Sequence, residues 1–255
     1  MKQQPVSEQN HGLAVQPGNE ILSILLRPDG LSFAFFEQGE MRSGTIKLPA
    51  DRPEAGFDFV FSSAEWPRSA FAKVWVCVPA ECAVLVPEAL DQPEKYGRIV
   101  ASLGYPEDPG ACLLSLPCPG NKVLLHAVCK EVLLPLSEKY GEALSFFHPL
   151  YAGLCRQPKE KGTVLEVNCA GGYVNFTLTN GQELLWADVF PATRKADLLL
   201  AVNRIVVTGK ISSFHVVCSG DRAEENATLL GRHYRPVSVH PDGENRNLFF
   251  PFSCE

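Results

Sequence analysis

The chain has 255 residues, of which 45% are hydrophobic and 20% charged, the balance of a packed globular protein of one large or two modest domains. A formal charge of −6 argues against a nucleic-acid binder, which needs a basic face to displace counterions from phosphates. No apolar run approaches the roughly 20 residues of a membrane span and no signal-peptide core follows Met1, so no membrane partner is expected and the expected location is cytoplasmic.

Residues 1–19 are polar and read as a flexible tail. Glu20 to Arg27, Leu31 to Phe36 and Met41 to Leu48 then read as three strands, joined at Pro28-Asp29-Gly30 and Glu37-Gln38-Gly39 and closed by Pro49. Asp-Gly between apolar runs is a strong hairpin signal, so the three form a meander. A short helix is expected over Glu54–Ser63, a buried strand over Lys73–Val78 and a short strand over Val84–Pro87. Pro93 to Leu103 reads as a helix with Pro in its first turn and Gly104 at its end. Ala111–Leu116 and Lys122–Val128 pair around a Pro-Gly turn, and Cys129–Tyr140 is an amphipathic helix bent at Pro135 and stopped by Gly141. Leu144–Phe147 is a strand and His148–Cys155 returns to helical spacing.

The polar run Arg156–Gly162 marks the expected boundary between a first half, 20–158, and a second, 159–255. Thr163–Asn168, Tyr173–Thr179 and Glu183–Phe190 form a second meander. Ala192–Val207 follows as a helix, Phe214–Cys218 as a strand, Arg222–Leu230 as a helix and Pro236–Val239 as a last strand. Phe249, Phe250 and Phe252 close the chain; three exposed aromatics would form an apolar patch, so they are expected to pack back onto the body or to engage a partner.

The meanders superimpose without a gap: Gly30 maps to Gly172, Gly39 to Gly181 and Pro49 to Pro191 (172 − 30 = 181 − 39 = 191 − 49 = 142). These are turn and exit positions, where geometry restricts residue type, although the in/out alternation matches less well at this offset. Val74–Val78 recurs in order as Phe214–Cys218. The fold class is therefore α/β and duplicated, with three antiparallel strands followed by helix, strand, helix, strand in each half. That order resembles the ribonuclease-H-like unit of the actin, sugar-kinase and Hsp70 superfamily, in which two units flank a nucleotide cleft. Leu22-Ser23-Ile24 through Asp29-Gly30-Leu31-Ser32-Phe33, Val74-Trp75-Val76 with Leu85-Val86-Pro87, and Val216-Val217-Cys218-Ser219-Gly220-Asp221 resemble a bacterial family catalogued as domain of unknown function 3822. The resemblance covers residues 20 to about 240 and implies a degenerate actin-like ATPase fold.

It also implies a phosphate hairpin in each half, with a carboxylate ending the first strand and Gly-Thr in the turn. The first half offers Leu25-Leu26-Arg27 and then Pro28, which has no backbone N–H; Asp29 reads as a turn residue. In the second half, Asn168-Cys169-Ala170-Gly171-Gly172-Tyr173-Val174-Asn175 follows the outline, with Asn in both acid positions and Tyr173 for Thr. A plain Gly-Gly hairpin turn explains it, and vestigial nucleotide contact is the alternative. Ser219-Gly220-Asp221 stands where the superfamily puts its adenosine-binding glycines; capping of the next helix by Ser219 or Asp221 explains it without a ligand. The candidate cofactor-binding residues are thus Asn168, Gly171, Gly172, Ser219 and Gly220.

Other chemistry is missing. Thr208-Gly209-Lys210 is no Walker loop, and no Gly-x-Ser-x-Gly elbow occurs. Nine cysteines without a C-x-x-C pair read as reduced thiols, and no metal site is expected. His126, His148 and His215 read as core histidines with their polar atoms satisfied. The leading expectation is a non-catalytic actin-like-fold protein that acts through an unknown protein partner, with no cofactor. The alternatives are an ATP-binding kinase or ATPase, a nucleotide-sensing pseudoenzyme that binds weakly in the interdomain cleft, or a small-ligand sensor using that cleft.

Overall fold

A computed structural model describes residues 21–37, 39–48, 56–106, 108–155, 162–192 and 194–253. The N-terminal tail, Pro49 and most of the boundary run lie outside the described residues. The first meander is β1 (Ile21–Arg27), β2 (Gly30–Glu37) and β3 (Glu40–Lys47), with Arg27 opposite Gly30 across a two-residue Pro28-Asp29 turn. Alternation sends Leu22, Ile24, Leu31, Phe33 and Phe35 to one face. There α1 (Gly56–Ser62) and α3 (Lys130–Tyr140) cover them. The strands β4 (Lys73–Cys77) and β8 (Leu144–Phe147) run parallel to β1, giving the order β3-β2-β1-β4-β8.

The second half repeats this topology. Its strands β9 (Thr163–Ala170), β10 (Tyr173–Asn180), β11 (Glu183–Pro191), β12 (His215–Gly220) and β13 (Val237–Val239) stand in the order β11-β10-β9-β12-β13. The helices α5 (Lys195–Thr208) and α6 (Ala223–Leu230) cover the face that carries Leu165, Val167, Val174, Phe176 and Leu178.

The repeat is offset by 143, one residue more than the turn glycines indicate. Ala170 faces Tyr173 as Arg27 faces Gly30 (170 − 27 = 173 − 30 = 143). At that offset Leu31, Phe33 and Phe35 fall on Val174, Phe176 and Leu178, core on core. An offset of 142 would turn every core side chain to the wrong face, which is why the alternation matches poorly there. Gly171-Gly172 thus replaces Pro28-Asp29, and Tyr173 stands where Gly30 does. A bulge at Leu178/Thr179 adds one more residue on β11.

Two features depart from a plain duplication. Between β4 and α3 the first half carries a third, antiparallel sheet, β5 (Ala83–Pro87), β6 (Ala111–Cys118) and β7 (Lys122–Cys129), in the order β5-β7-β6. On one face Val86, Val123 and Leu125 pack under Tyr96 of α2 (Tyr96–Ser102). On the other, Ala83 and Leu124 meet Val189 of β11, so this sheet bridges the halves. The halves also exchange helices. From the first half, α4 (Pro149–Leu154) packs on β9, β10 and β11, while α7 (Arg246–Ser253) of the second packs on β1 and β2. The C-terminal aromatics thus pack back: Leu248, Phe250 and Phe252 are buried against Ile21, Leu25 and Phe147.

Candidate functional site

The Gly171-Gly172 turn lies beside the ends of β4 and β12. Gly171 has φ +59°, and a Cβ there would lie 2.7 Å from Pro79 Cβ, so the turn is pressed against the segment that follows β4 in the other half. Its N–H donates to Asp221 Oδ2 (3.0 Å), and Asp221 Oδ1 pairs with Arg27 at the end of β1 (3.6 Å). Arg27 in turn donates Nε–H to Ser32 Oγ (2.9 Å). One carboxylate thereby ties the second hairpin to the first.

This use of Asp221 overturns the capping expectation. The N-cap of α6 is Arg222, at φ 55° and without a side-chain cap, and Ser219 is buried with no partner for Oγ among the described residues. Gly220 is required by contact: at φ +75°, a Cβ would fall 2.0 Å from the Cys169 carbonyl oxygen and 2.5 Å from Asn168 Oδ1.

Asn168 is buried between the exchanged helices. Its Nδ2 donates to the Pro149 carbonyl of α4 (3.2 Å) and to Asn247 Oδ1 of α7 (2.7 Å), and Asn247 Nδ2 donates back to Asn168 Oδ1 (3.0 Å). Arg246 Nε lies 3.6 Å from Glu166 Oε1, both groups almost wholly buried, and its guanidinium donates to the Ala152 carbonyl (3.0 Å). Glu166, Asn168, Asn175 and Thr177 therefore form a polar inner face where the first sheet, at the same offset of 143, has Ser23, Leu25, Ser32 and Ala34. Sequence reading missed Arg246 and Asn247, because nothing local marks residues whose partners lie some 80 positions away.

The other acids near the hairpins are engaged elsewhere. Asp29 pairs with Lys47 on the surface (3.9 Å). Burial raises the Asp188 carboxyl, partly offset by the Val189 N–H that it accepts and by nearby Arg204. Among the described residues no group of three or more His, Cys, Asp or Glu is placed to hold a metal ion. The eight described cysteines are free, and burial pushes the Cys77 thiol well up and Cys218 to about 12, which disfavours a thiolate.

Two cavities flank this region, and Tyr173 lines both. One, of about 470 Å3, is edged by Gly172 and by Arg27, Arg194, Lys195 and Arg222. Three of these cations already have acidic partners: Arg27 pairs with Asp221, Arg194 with Asp197 (2.9 Å) and Lys195 with Glu225 (3.8 Å). The other is a groove of about 1010 Å3 between α2, the loop after it, the segment that follows β4, and the adjoining ends of β6 and β7.

Two ribonuclease-H-like halves joined by exchanged helices define a protein of the actin-like ATPase fold. The chain belongs to the family described as protein of unknown function (DUF3822), whose model matches residues 11–229. It is similar to a Bacteroides thetaiotaomicron protein of actin-like ATPase fold and unknown function, with a TM-score of 0.80 and 14% identity over 93% of this chain and 96% of that one. The PilM–PilN type IV pilus biogenesis complex contains a chain with a TM-score of 0.62 and 14% identity, over 93% of this chain and 97% of that one. At such identities the likeness is one of fold. No curated protein matches the chain. Among the described residues, no helix is long and apolar enough to cross a membrane.

Proposed function

We propose that this is a non-catalytic, cytoplasmic member of the actin-like fold that works through protein contacts. The observation that carries the reading is Asn168. Phosphoryl transfer needs a metal held against the phosphates, and the superfamily holds it with a carboxylate at this strand end. Here an uncharged amide occupies the position and is bonded to α4 and α7 of the same chain. Opening this place would break buried hydrogen bonds and strand their groups, at about 1–3 kcal/mol each. The likeness to a chain of the PilM–PilN complex supports the reading, since it places a fold of this class in a protein–protein assembly.

The test is magnesium-dependent ATP binding by calorimetry beside a phosphate-release assay. No turnover is expected; steady hydrolysis abolished by Asp188→Ala would sink the reading. A second reading, a nucleotide-sensing pseudoenzyme, draws on the 470 Å3 cavity at Gly172 and its four cations. Of the candidate residues it uses Gly172, which lines that cavity, with a phosphate near exposed Arg222. Micromolar ATP binding without turnover, lost in Arg222→Glu, would select it.

A further inference from the structure

We propose that the 1010 Å3 groove is the docking site for an extended segment of a partner protein, one carrying apolar residues beside Lys or Arg. The inference rests on the protein-contact reading and names the surface and the chemistry of the partner.

The lining sets the chemistry. Tyr105 and Tyr173, with the buried Tyr96, line a mostly apolar wall, and Tyr173 comes from the second half, so an occupant touches both halves at once. Among the described residues the charged groups in the wall are Glu81 and Asp108, both acidic and both exposed. Lys130, beside the rim, donates its ammonium to the Pro109 carbonyl (2.7 Å). A cationic side chain would therefore meet two carboxylates, whereas a phosphate would meet like charge.

The surroundings favour an extended occupant. The groove is at the upper limit of the about 300–1,000 Å3 typical of small-molecule sites. One wall is the start of β6, which pairs with β7 alone among the described residues. Among the described residues the other edge of β6 has no strand beside it, and an unpaired edge next to side-chain pockets is the arrangement that adds a peptide as a further strand.

The experiment selects binders to the full-length chain from a random peptide display library. The winning peptide is then labelled and titrated by fluorescence anisotropy. Selected sequences should combine apolar residues with Lys or Arg. Ala127→Phe, which fills the groove, should weaken binding at least tenfold, and Glu81→Lys with Asp108→Lys should turn the selection toward acidic peptides. The charge variants alter exposed residues, so they keep the test sound if Ala127→Phe misfolds. Peptides that bind all variants equally, or acidic peptides selected by the unaltered chain, would overturn the assignment while leaving protein contacts elsewhere intact. Uptake of the apolar dye anilinonaphthalene sulfonate with no peptide selected would also overturn it, and would give the groove to small molecules. ATP turnover would undo the non-catalytic reading without bearing on the groove.

Discussion

His126 of β7 is wholly buried, and neither ring nitrogen has a partner among the described residues. Its neighbour His148, 6.1 Å away between ring centroids, is satisfied. His148 Nδ1 accepts the Leu150 N–H (3.1 Å) and so caps α4, which leaves the proton on Nε2 to be donated to the Ala80 carbonyl (2.9 Å). Both were read as satisfied core histidines; only His148 is. Burial pushes His126 down to about 3 and His148 to about 4. Their folded values lie below the unfolded 6.5, so the unfolded chain binds more protons in this window. Stability is fully present above pH 6.5 and is lost as pH falls toward 4, by up to about 1.4 kcal/mol per pH unit for each histidine. Thermal melts between pH 8 and 5 should show the decline. His126→Phe should remove about half of that slope with little cost at pH 7, since an aromatic without polar atoms suits the site, whereas His148→Ala should lower stability at pH 7 by about 1–2 kcal/mol. A His126→Phe protein with unchanged pH dependence would refute the assignment.

At the scale of elements, α7 carries the most information. Its apolar side buries Leu248, Phe250 and Phe252 on the first sheet, at about 1.5–3 kcal/mol each. Its first residues, Arg246 and Asn247, reach the second sheet. The aromatic spacing marked the tail for packing back or for a partner, but not for a helix containing Pro251, because only the tertiary contacts offset that proline. The Arg246–Glu166 pair tests the arrangement. Arg246→Met alone removes the buried cation that faces Glu166 and should cost about 3–5 kcal/mol in urea melts. Adding Glu166→Leu should recover most of that loss. Equal effects of the single and double variants would mean that the pair is not coupled.

Across the whole molecule, neither half completes its own core. The second sheet is covered on its inner face by α4 from the first half, and the first sheet by α7 from the second. The bridging contact of the third sheet with β11 reinforces this. A fragment of residues 156–255 expressed alone should therefore remain molten or aggregate, and co-expression with residues 1–155 should restore cooperative unfolding. A fragment that melts cooperatively by itself, with dispersed amide resonances, would show that the exchange is dispensable.

The sequence by itself determined both meanders, the order of elements in each half and the lack of a carboxylate along Leu25-Leu26-Arg27 and at Asn168, because strand period and turn chemistry act over a few residues. It also carried the family resemblance. Only the tertiary structure decided the true register, since a glycine suits the second place of a two-residue turn, as Gly172, as well as the residue that follows the turn, as Gly30, and the choice is made by which face meets the helices. It decided as well that Asp221 braces two hairpins instead of capping α6, and that Asn168 is closed over by Asn247. Such pairings join residues 50 positions apart (Gly171 and Asp221), 79 apart (Asn168 and Asn247) and 194 apart (Arg27 and Asp221; 221 − 27), and the polar groups are matched only where the chain path brings them together.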